Sequence, residues 1–480
     1  MNAPIQTDSS TPRTFDLIVL GAGPAGTSAA GTAAIFGQRV AIVEKEPVVG
    51  GAGIITGTIP SKTLRETALA LSGLRSRKLY GVDLSLRRAA TVADFTGHQR
   101  EVCGAASQHL ATRLESLAVD RYQGSASFVD ANTVRIVRAN SPDVLLRGEK
   151  ILIATGSRPH RPPEFAFGDD RVHDSDELLH IQTLPKRMAV IGAGVIGSEY
   201  ACTFATLGVE VHLIDGRDVL MPFLDGEIAQ ALTVAMTTSG IKFHWNEKVT
   251  LCDVSAPGDV RLTLTSGATL DCDSVLVCAG RSSNTDELNL SAAGITPVKR
   301  GLISVDAQFR TEVPHIYAAG DVIGPPALAA TGMEQARAAM CHAFGLPMKM
   351  DLAPLLPTGI YTIPEVSMVG ETEESLKQKG IPYVVGRARY ADNPRGRIIG
   401  DDTGLLKLLF RQDDMRLLGV HIIGEQATEV VHPGLLALLT ESGADLFNRT
   451  CFNYPTLGDL YKSATYHAIL QRDRPGKLQD

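Results

Sequence analysis

No two of the seven cysteines in this 480-residue chain form a CxxC pair, and no block of basic residues occurs anywhere. Nor does any apolar run reach the roughly 18 residues that mark a membrane span. The first absence argues against a zinc ribbon or a thioredoxin-type couple. The second removes the electrostatic footprint of a phosphate backbone, so nucleic acid is not an expected partner. The third excludes a transmembrane helix, and no membrane partner is expected. Lys and Arg number 46 against 53 Asp and Glu, a net charge of only −7. The opening MNAPIQTDSSTPR (residues 1–13) lacks the basic start and apolar core of a secretory signal and reads as a flexible tail.

The thiols themselves are scattered, at Cys103, Cys202, Cys252, Cys272, Cys278, Cys341 and Cys451. Cys272 and Cys278 share the strand-like run DCDSVLVC, and six residues of strand would separate them by roughly 20 Å, beyond disulfide reach. Buried small apolar thiols in a reducing cytoplasm are the expected state.

What is abundant is glycine, 46 residues, which implies many tight turns and close backbone approaches. Two clusters stand out. TFDLIVLGAGPAGTSAAGTAAIFGQRVAIVEKE reads as strand, glycine turn, helix, strand. Gly21 permits the turn, Gly23 lets a pyrophosphate approach the backbone, and Gly26 lets helix and strand pack closely. The free N–H groups of the helix start, aided by its dipole, suit phosphate. The second strand, Val40 to Val43, ends in Glu44, an acceptor for ribose hydroxyls. KRMAVIGAGVIGSEYACTFATLGVEVHLIDGRD repeats the pattern through Gly192, Gly194, Val195, Ile196 and Gly197, with Asp215 as its acid and Arg217 close behind. Two such units imply two dinucleotides, a flavin and a nicotinamide.

Three lesser elements bracket them. KILIATGSRP (150–159) and SVLVCAGRSSN (274–284) each run a short apolar strand into an xGxR turn, and VPHIYAAGDV (313–322) runs one into Gly320-Asp321. A carboxylate at a strand end beside glycine can hydrogen-bond a flavin's ribityl hydroxyls; alone, each element reads equally well as an ordinary turn.

In this order the motifs resemble the flavoprotein disulfide reductases, the family of dihydrolipoamide dehydrogenase and glutathione reductase, over residues 14 to 470. The resemblance implies an α/β fold with two Rossmann-like dinucleotide-binding domains, for FAD and NAD(P), plus a C-terminal α+β dimerisation domain. The expected divisions are a tail at 1–13, the FAD domain at 14–158, the NAD(P) domain at 159–285, a return to the FAD or central domain at 286–356, and the interface domain at 357–480. The family's defining segment matches GGAGIITGTIPSK (50–62), yet Gly53 and Thr58 stand where dithiol members have cysteines. The C-terminal HPxxxE of those members reads Tyr454-Pro455-Thr456-Leu457-Gly458-Asp459. A phenol titrating near 10 cannot replace an imidazole base at neutral pH. Thiol pair and base are absent together, so disulfide chemistry is not expected.

One branch, the soluble (Si-specific) pyridine nucleotide transhydrogenases, is similar at GTIPSKTLRE (57–66), LAATGMEQARAAMCHAFG (328–345), PTGIYTIPEVSMVG (357–370) and FNYPT (452–456). That branch has threonine where Thr58 stands but usually keeps the first cysteine, so Gly53 departs even from it. The resemblance implies hydride transfer between NADPH and NAD+, and NADH and NADP+, through flavin N5. The alternative is reduction of a quinone or other small acceptor. It places Lys62 near N5, paired with Glu199, although an ordinary ion pair would look the same in sequence. Pro24, Ala25, Lys45, Gly51, Thr58, Ala154, Thr155, Gly156, Gly280, Arg281, Gly320, Asp321 and Ala329 are the further cofactor-binding residues implied. Asp215 favours NAD(H), while Arg217 would clamp a 2′-phosphate or lie solvated at the surface. A homodimer, or a higher oligomer, is expected, with Tyr454 and Asp459 at a shared site. No metal is expected. Helix-like stretches at 62–81 and 96–117, strands at 404–411 and 417–424, and a capping or packing role for His432 complete the reading.

Overall fold

In the computed structural model, which describes residues 12–73, 91–139, 141–348, 352 and 354–473, the first apolar run is a central parallel strand, Arg13–Leu20. It lies between Val40–Glu44 and Val144–Ile153, both parallel to it. Asp120–Gln123 extends the sheet on one side, and Ile316–Ala318 pairs with the far strand. Leu17, Ile18, Val19 and Leu20 are all fully buried, as they must be in a sheet covered on both faces. Their alternation divides them. Leu17 and Val19 pack with Ala29, Ala33, Ala336 and Met340 of the helices Pro24–Ile35 and Ala329–Phe344. Ile18 and Leu20 pack with Phe128, Val134, Ile136 and Ile303. These elements belong to a compact unit formed by residues 1–63, 96–160 and 280–352, and the remaining residues form a second unit.

The second unit carries its own parallel sheet, in the order Lys242–Trp245, Glu210–Asp215, Arg187–Ile191, Ser274–Val277, Val172–Asp174. Helices Val195–Thr206 and Gly226–Thr238 bury one face through Tyr200, Phe204, Ile228 and Leu232. A three-stranded antiparallel sheet, Val249–Asp253, Val260–Leu264 and Thr269–Cys272, contributes Leu262 and Cys272 to the other. The same unit contains a five-stranded antiparallel sheet in which the two strands expected from sequence, Leu405–Arg411 and Leu417–Ile423, pair as a hairpin, Leu408 opposite Val420. Helices His432–Leu439, Ala444–Arg449 and Leu460–Asp473 accompany it, sharing the core around Phe447 and Tyr461.

Several expectations shift. The first strand already includes Arg13, the last residue of the expected tail, and residues 1–11 lie outside the described residues. The helix expected at 62–81 begins at Thr58 and runs to Leu71, with 74–81 again outside the description. DCDSVLVC is not one strand. Asp273 interrupts it by accepting the backbone N–H groups of Lys186 (2.8 Å) and Arg187 (2.6 Å), sending Cys272 into the antiparallel sheet and Ser274 into the parallel one. None of the seven cysteines forms a disulfide, but Cys278 is only half-buried and Cys451 is exposed, unlike the expected burial. Arg281–Ser283 pairs antiparallel with Ser157–Pro159, and the first unit extends through residue 160 and resumes at 280. Among the described residues no helix is long and apolar enough to cross a membrane.

Candidate functional site

The first glycine turn is built by exclusion of side chains. Gly21 has φ +100°, and a Cβ there would lie 2.4 Å from the Ala154 carbonyl oxygen. A Cβ on Gly26 would lie 1.9 Å from the carbonyl oxygen of Gly21, so helix and turn are in contact through bare backbone. Gly23 ends the turn in extended geometry, Pro24 occupies the first helical position, and no side chain caps the helix. The N–H groups of its first turn are therefore presented to whatever sits in front of them. Glu44 holds the turn in place, its Oε2 accepting the Ala22 N–H at 2.8 Å. Lys45 beside it is exposed.

The second turn repeats this construction. Gly192 has φ +100°, and a Cβ on Gly197 would lie 2.0 Å from the Gly192 oxygen. Gly194 is extended, Val195 and Ile196 open the helix without a side-chain cap, and Asp215 Oδ2 accepts the Ala193 N–H at 2.7 Å. In both units the strand-end acid and the residue after the first glycine are 22 positions apart, so the brace is duplicated with the fold. Here an arginine joins it. Arg217 donates to Asp215 through its backbone N–H, Nε and Nη2. Burial would raise the Asp215 pKa, but the hydrogen bonds from Arg217 outweigh it and hold the carboxyl below the usual carboxylate range. The two residues expected to act separately on a ribose 2′ substituent are a pair.

Around the first turn, Gly51 (φ +49°) approaches Gly23 so closely that its Cβ would lie 2.8 Å from Gly23 Cα. A Cβ on Gly53 would lie 2.4 Å from Pro24 Cγ. Gly53 is thus pressed against the first glycine turn. Thr58 is exposed at the start of its helix, and Lys62, half-buried one turn on, donates to Ser61 Oγ at 3.2 Å. At the end of Val144–Ile153, Ala154 is buried, and Thr155 Oγ1 is buried without a hydrogen-bond partner. Gly156 follows with φ +69°.

Asp321 follows Gly320 and accepts the Ser157 hydroxyl at 2.7 Å. Arg281 donates to the same hydroxyl (2.7 Å) and to the Ser157 carbonyl (2.8 Å), and its Nε lies 4.0 Å from Asp321. Gly280 and Arg281 therefore stand with Asp321 in the first unit. Gly320 N–H donates to Gln335 Oε1, on the helix that Ala329 begins. Ser157 and Gln335 are the neighbours that sequence reasoning missed. Ser157 lies inside the quoted TGSRP turn; nothing local marks Gln335.

In the second unit, Glu199 is buried and accepts the Tyr361 N–H at 2.8 Å. Ser198 Oγ and Tyr200 OH, on the same helix, are buried without partners. Burial pushes the Cys202 thiol up to about 12 and Tyr200 well above its ordinary range, so neither ionises near neutral pH. Tyr454 is 76% exposed, while Asp459 is half-buried in the turn Leu457–Asp459. His432 is the first residue of its helix, one past the N-cap Val431, with Nδ1 3.1 Å from the Glu429 carbonyl.

The geometry fits two dinucleotides. Each turn is a cradle that a side chain would fill, and Thr155 Oγ1 is an orphaned polar atom beside the first. The family pattern described as pyridine nucleotide-disulphide oxidoreductase matches residues 15–343, and that family's dimerisation domain matches residues 356–465. A soluble pyridine nucleotide transhydrogenase of Mycobacterium bovis is 44% identical over 453 residues, covering 94% of this chain and 96% of that protein. Another, of Hahella chejuensis, is 40% identical over 468 residues, covering 95% and 98%. Among solved structures, the HOCl-induced flavoprotein disulfide reductase RclA of Escherichia coli superposes with a TM-score of 0.85 at 25% identity, covering 94% of this chain and 99% of that one.

Proposed function

The chain belongs to the pyridine nucleotide-disulphide oxidoreductase family, and from that premise we propose that it is an FAD-dependent NAD(P)+ transhydrogenase. It moves hydride between NADPH and NAD+, and between NADH and NADP+, without a redox disulfide. The carrying observation is the coexistence of two undamaged dinucleotide cradles with a redox segment that has Gly53 and Thr58 in place of sulfur.

Bound flavin supplies a hydride acceptor and donor at N5. The protein's part is orientation and electrostatics. Gly21, Gly23, Pro24, Ala25 and Gly26 present the helix start to the flavin pyrophosphate, and Glu44 braces them. Asp321, oriented by Ser157, takes a ribityl hydroxyl. Gly192, Gly194 and Gly197 do the same for the nicotinamide dinucleotide, with Asp215 and Arg217 near its 2′ position. The resemblance assigns Lys62 and Glu199 to the flavin edge, where an ammonium favours electron-rich flavin. No nucleophile or general base is required, consistent with the protonated state of Cys202.

The dimerisation match supports a homodimer. So do the exposed Leu436, Tyr466 and Leu470 on the C-terminal helices His432–Leu439 and Leu460–Asp473. Tyr454 and Asp459 would then face a shared site and shape it, without acid–base work. Cysteines outside any disulfide favour the cytoplasm. The deciding experiment is anaerobic turnover of NADPH with an NAD+ analogue and, separately, with a benzoquinone. Transfer to the analogue is expected; reduction of quinone alone would overturn the proposal.

A further inference from the structure

We infer that Lys248 is the residue that recognises the 2′-phosphate of NADP(H), acting beside an Asp215–Arg217 pair whose task is to cancel the acid's charge. This deepens the proposed function and rests on the second glycine unit binding a nicotinamide dinucleotide.

In a unit of this kind the acid closing the second strand lies at the ribose 2′ position. An unpaired acid there repels phosphate. Asp215 is not unpaired: its two oxygens accept the Ala193 N–H, the Arg217 N–H, Nε and Nη2. The carboxylate is saturated, and the guanidinium has committed one edge to it. Neutralisation removes the objection to phosphate but supplies no surplus positive charge.

Lys248 supplies it. A methyl group placed on Gly216, between Asp215 and Arg217, would lie 2.8 Å from Lys248 Cε, 3.4 Å from Cγ and 3.7 Å from Cδ. The lysine stem therefore crosses the loop at the residue joining the pair. Its origin is fixed by backbone bonds. Glu247 N–H donates to the Asp215 carbonyl and Asn246 N–H to that of Arg217, each at 3.1 Å. Lys248 N–H donates to Thr265 Oγ1 at 3.2 Å, and Thr265 N–H returns to the Lys248 carbonyl at 2.9 Å. Among the described residues the ammonium has no ion-pair or hydrogen-bond partner. Neighbouring Glu247 instead accepts the Thr265 hydroxyl and the Ser266 N–H. Asp218, next after Arg217, is exposed, where water and salt screen it. Lys248 is exposed as well, and an ammonium whose stem crosses the strand-end loop, with no acid of its own, is suited to a dianionic phosphate.

The test is equilibrium binding of 2′,5′-ADP and of 5′-AMP to the flavin-loaded protein and its Lys248→Gln, Lys248→Arg and Gly216→Ala variants. Lys248→Gln should weaken 2′,5′-ADP by about tenfold and 5′-AMP by less than about twofold, a loss of the size expected for one charge-assisted phosphate contact. Lys248→Arg should keep most of the preference, and Gly216→Ala, which displaces the lysine stem, should lose it in part. Equal weakening of both probes by Lys248→Gln, or no change in their ratio, overturns the inference. Wild-type protein that takes 5′-AMP but not 2′,5′-ADP overturns it as well. Neither probe carries a nicotinamide, so failure of hydride transfer with intact probe discrimination would overturn the transhydrogenase reading alone.

Discussion

Arg217 grips Asp215 at both carboxylate oxygens, with Nε 2.8 Å from Oδ1 and Nη2 2.7 Å from Oδ2. Read separately, the acid points to NAD(H) and the arginine to NADP(H). As a pair they produce a loop tip near neutrality, which tolerates either. A transhydrogenase needs that tolerance, because both nicotinamides must visit the flavin.

Removing the arginine uncovers the acid. For Arg217→Ala we expect kcat/KM for NADPH to fall by about tenfold while that for NADH changes by less than about threefold, as one buried-edge ion pair with phosphate repulsion behind it predicts. Steady-state kinetics with each cofactor decides. Equal losses would mean that the pair merely holds the loop.

A second prediction concerns Lys407, whose side chain is fully buried with Nζ 2.7 Å from Asp225 and 2.9 Å from Glu227, and Glu373 also bonded to it. The three carboxylates lie close enough together to hold a metal, yet the ammonium already stands among them. Lys407→Met strands the buried Asp225 and the half-buried Glu227 and Glu373 and should cost about 3 kcal/mol, seen as a lower unfolding midpoint in urea. A midpoint within error of wild type would show that the acids relax to solvent.

The same cluster sets acid sensitivity. Burial pushes the Asp225, Glu227 and Glu373 carboxyls up, but Lys407, with His421 or Arg387 at some of them, more than compensates, leaving all three below their ordinary values. Groups depressed on folding contribute stability above their unfolded pKa and lose it as pH falls through the folded one. Burial also depresses His421 from 6.5. The loss should therefore begin just below pH 6.5 and steepen below about pH 4. His421→Gln should remove the earlier part; an unchanged melting-temperature profile between pH 6.5 and 5 would contradict this.

Much of the fold was legible because backbone geometry restricts residue type. Gly21, Gly26, Gly192 and Gly197 occupy places where a Cβ would lie 2.4, 1.9, 2.6 and 2.0 Å from a carbonyl oxygen, so their spacing alone marks both turns. The strand-end acids were legible from their place after the second strand, but not the bonds they make to the Ala22 and Ala193 N–H groups. What sequence could not show depends on side-chain choice across distant elements. Ser157 meets Asp321, 164 positions away, because two chain crossings return to one sheet end. Arg217 turning onto Asp215 is a rotamer outcome. Lys248 crossing Gly216 follows from two parallel strands in register, Asp215 opposite Trp245. The break in DCDSVLVC follows from Asp273 satisfying backbone donors of a different segment.

Gly53 yields a prediction opposite to simple restoration. Its Cβ would lie 2.4 Å from Pro24 Cγ, so a cysteine there pushes on the phosphate-binding turn. Gly53→Cys, alone or with Thr58→Cys, should lower the flavin-to-protein ratio after gel filtration. Adding Pro24→Ala, which removes the colliding atom, should restore retention in part. Full flavin occupancy in Gly53→Cys with Pro24 intact would show that the segment simply moves aside.

The missing sulfur also fixes how many electrons the protein accepts. If Gly53 and Thr58 stand at the redox positions, as the resemblance implies, there is no disulfide to take a second pair, and the buried Cys202 thiol, pushed up to about 12, offers no thiolate. Anaerobic titration with NADPH should therefore stop at two electrons per flavin, without the long-wavelength band of a thiolate–flavin interaction. Addition of NAD+ should then return the oxidised spectrum and yield NADH. The 2′-phosphate is remote from the reacting carbon, so the two nicotinamides hold hydride with nearly equal affinity. Net flux should follow their ratios and reverse with them. If one cofactor leaves before the next binds, double-reciprocal plots will be parallel lines. Consumption of four electrons per flavin would overturn the assignment, as would reduced protein inert to NAD+ yet rapidly oxidised by quinone.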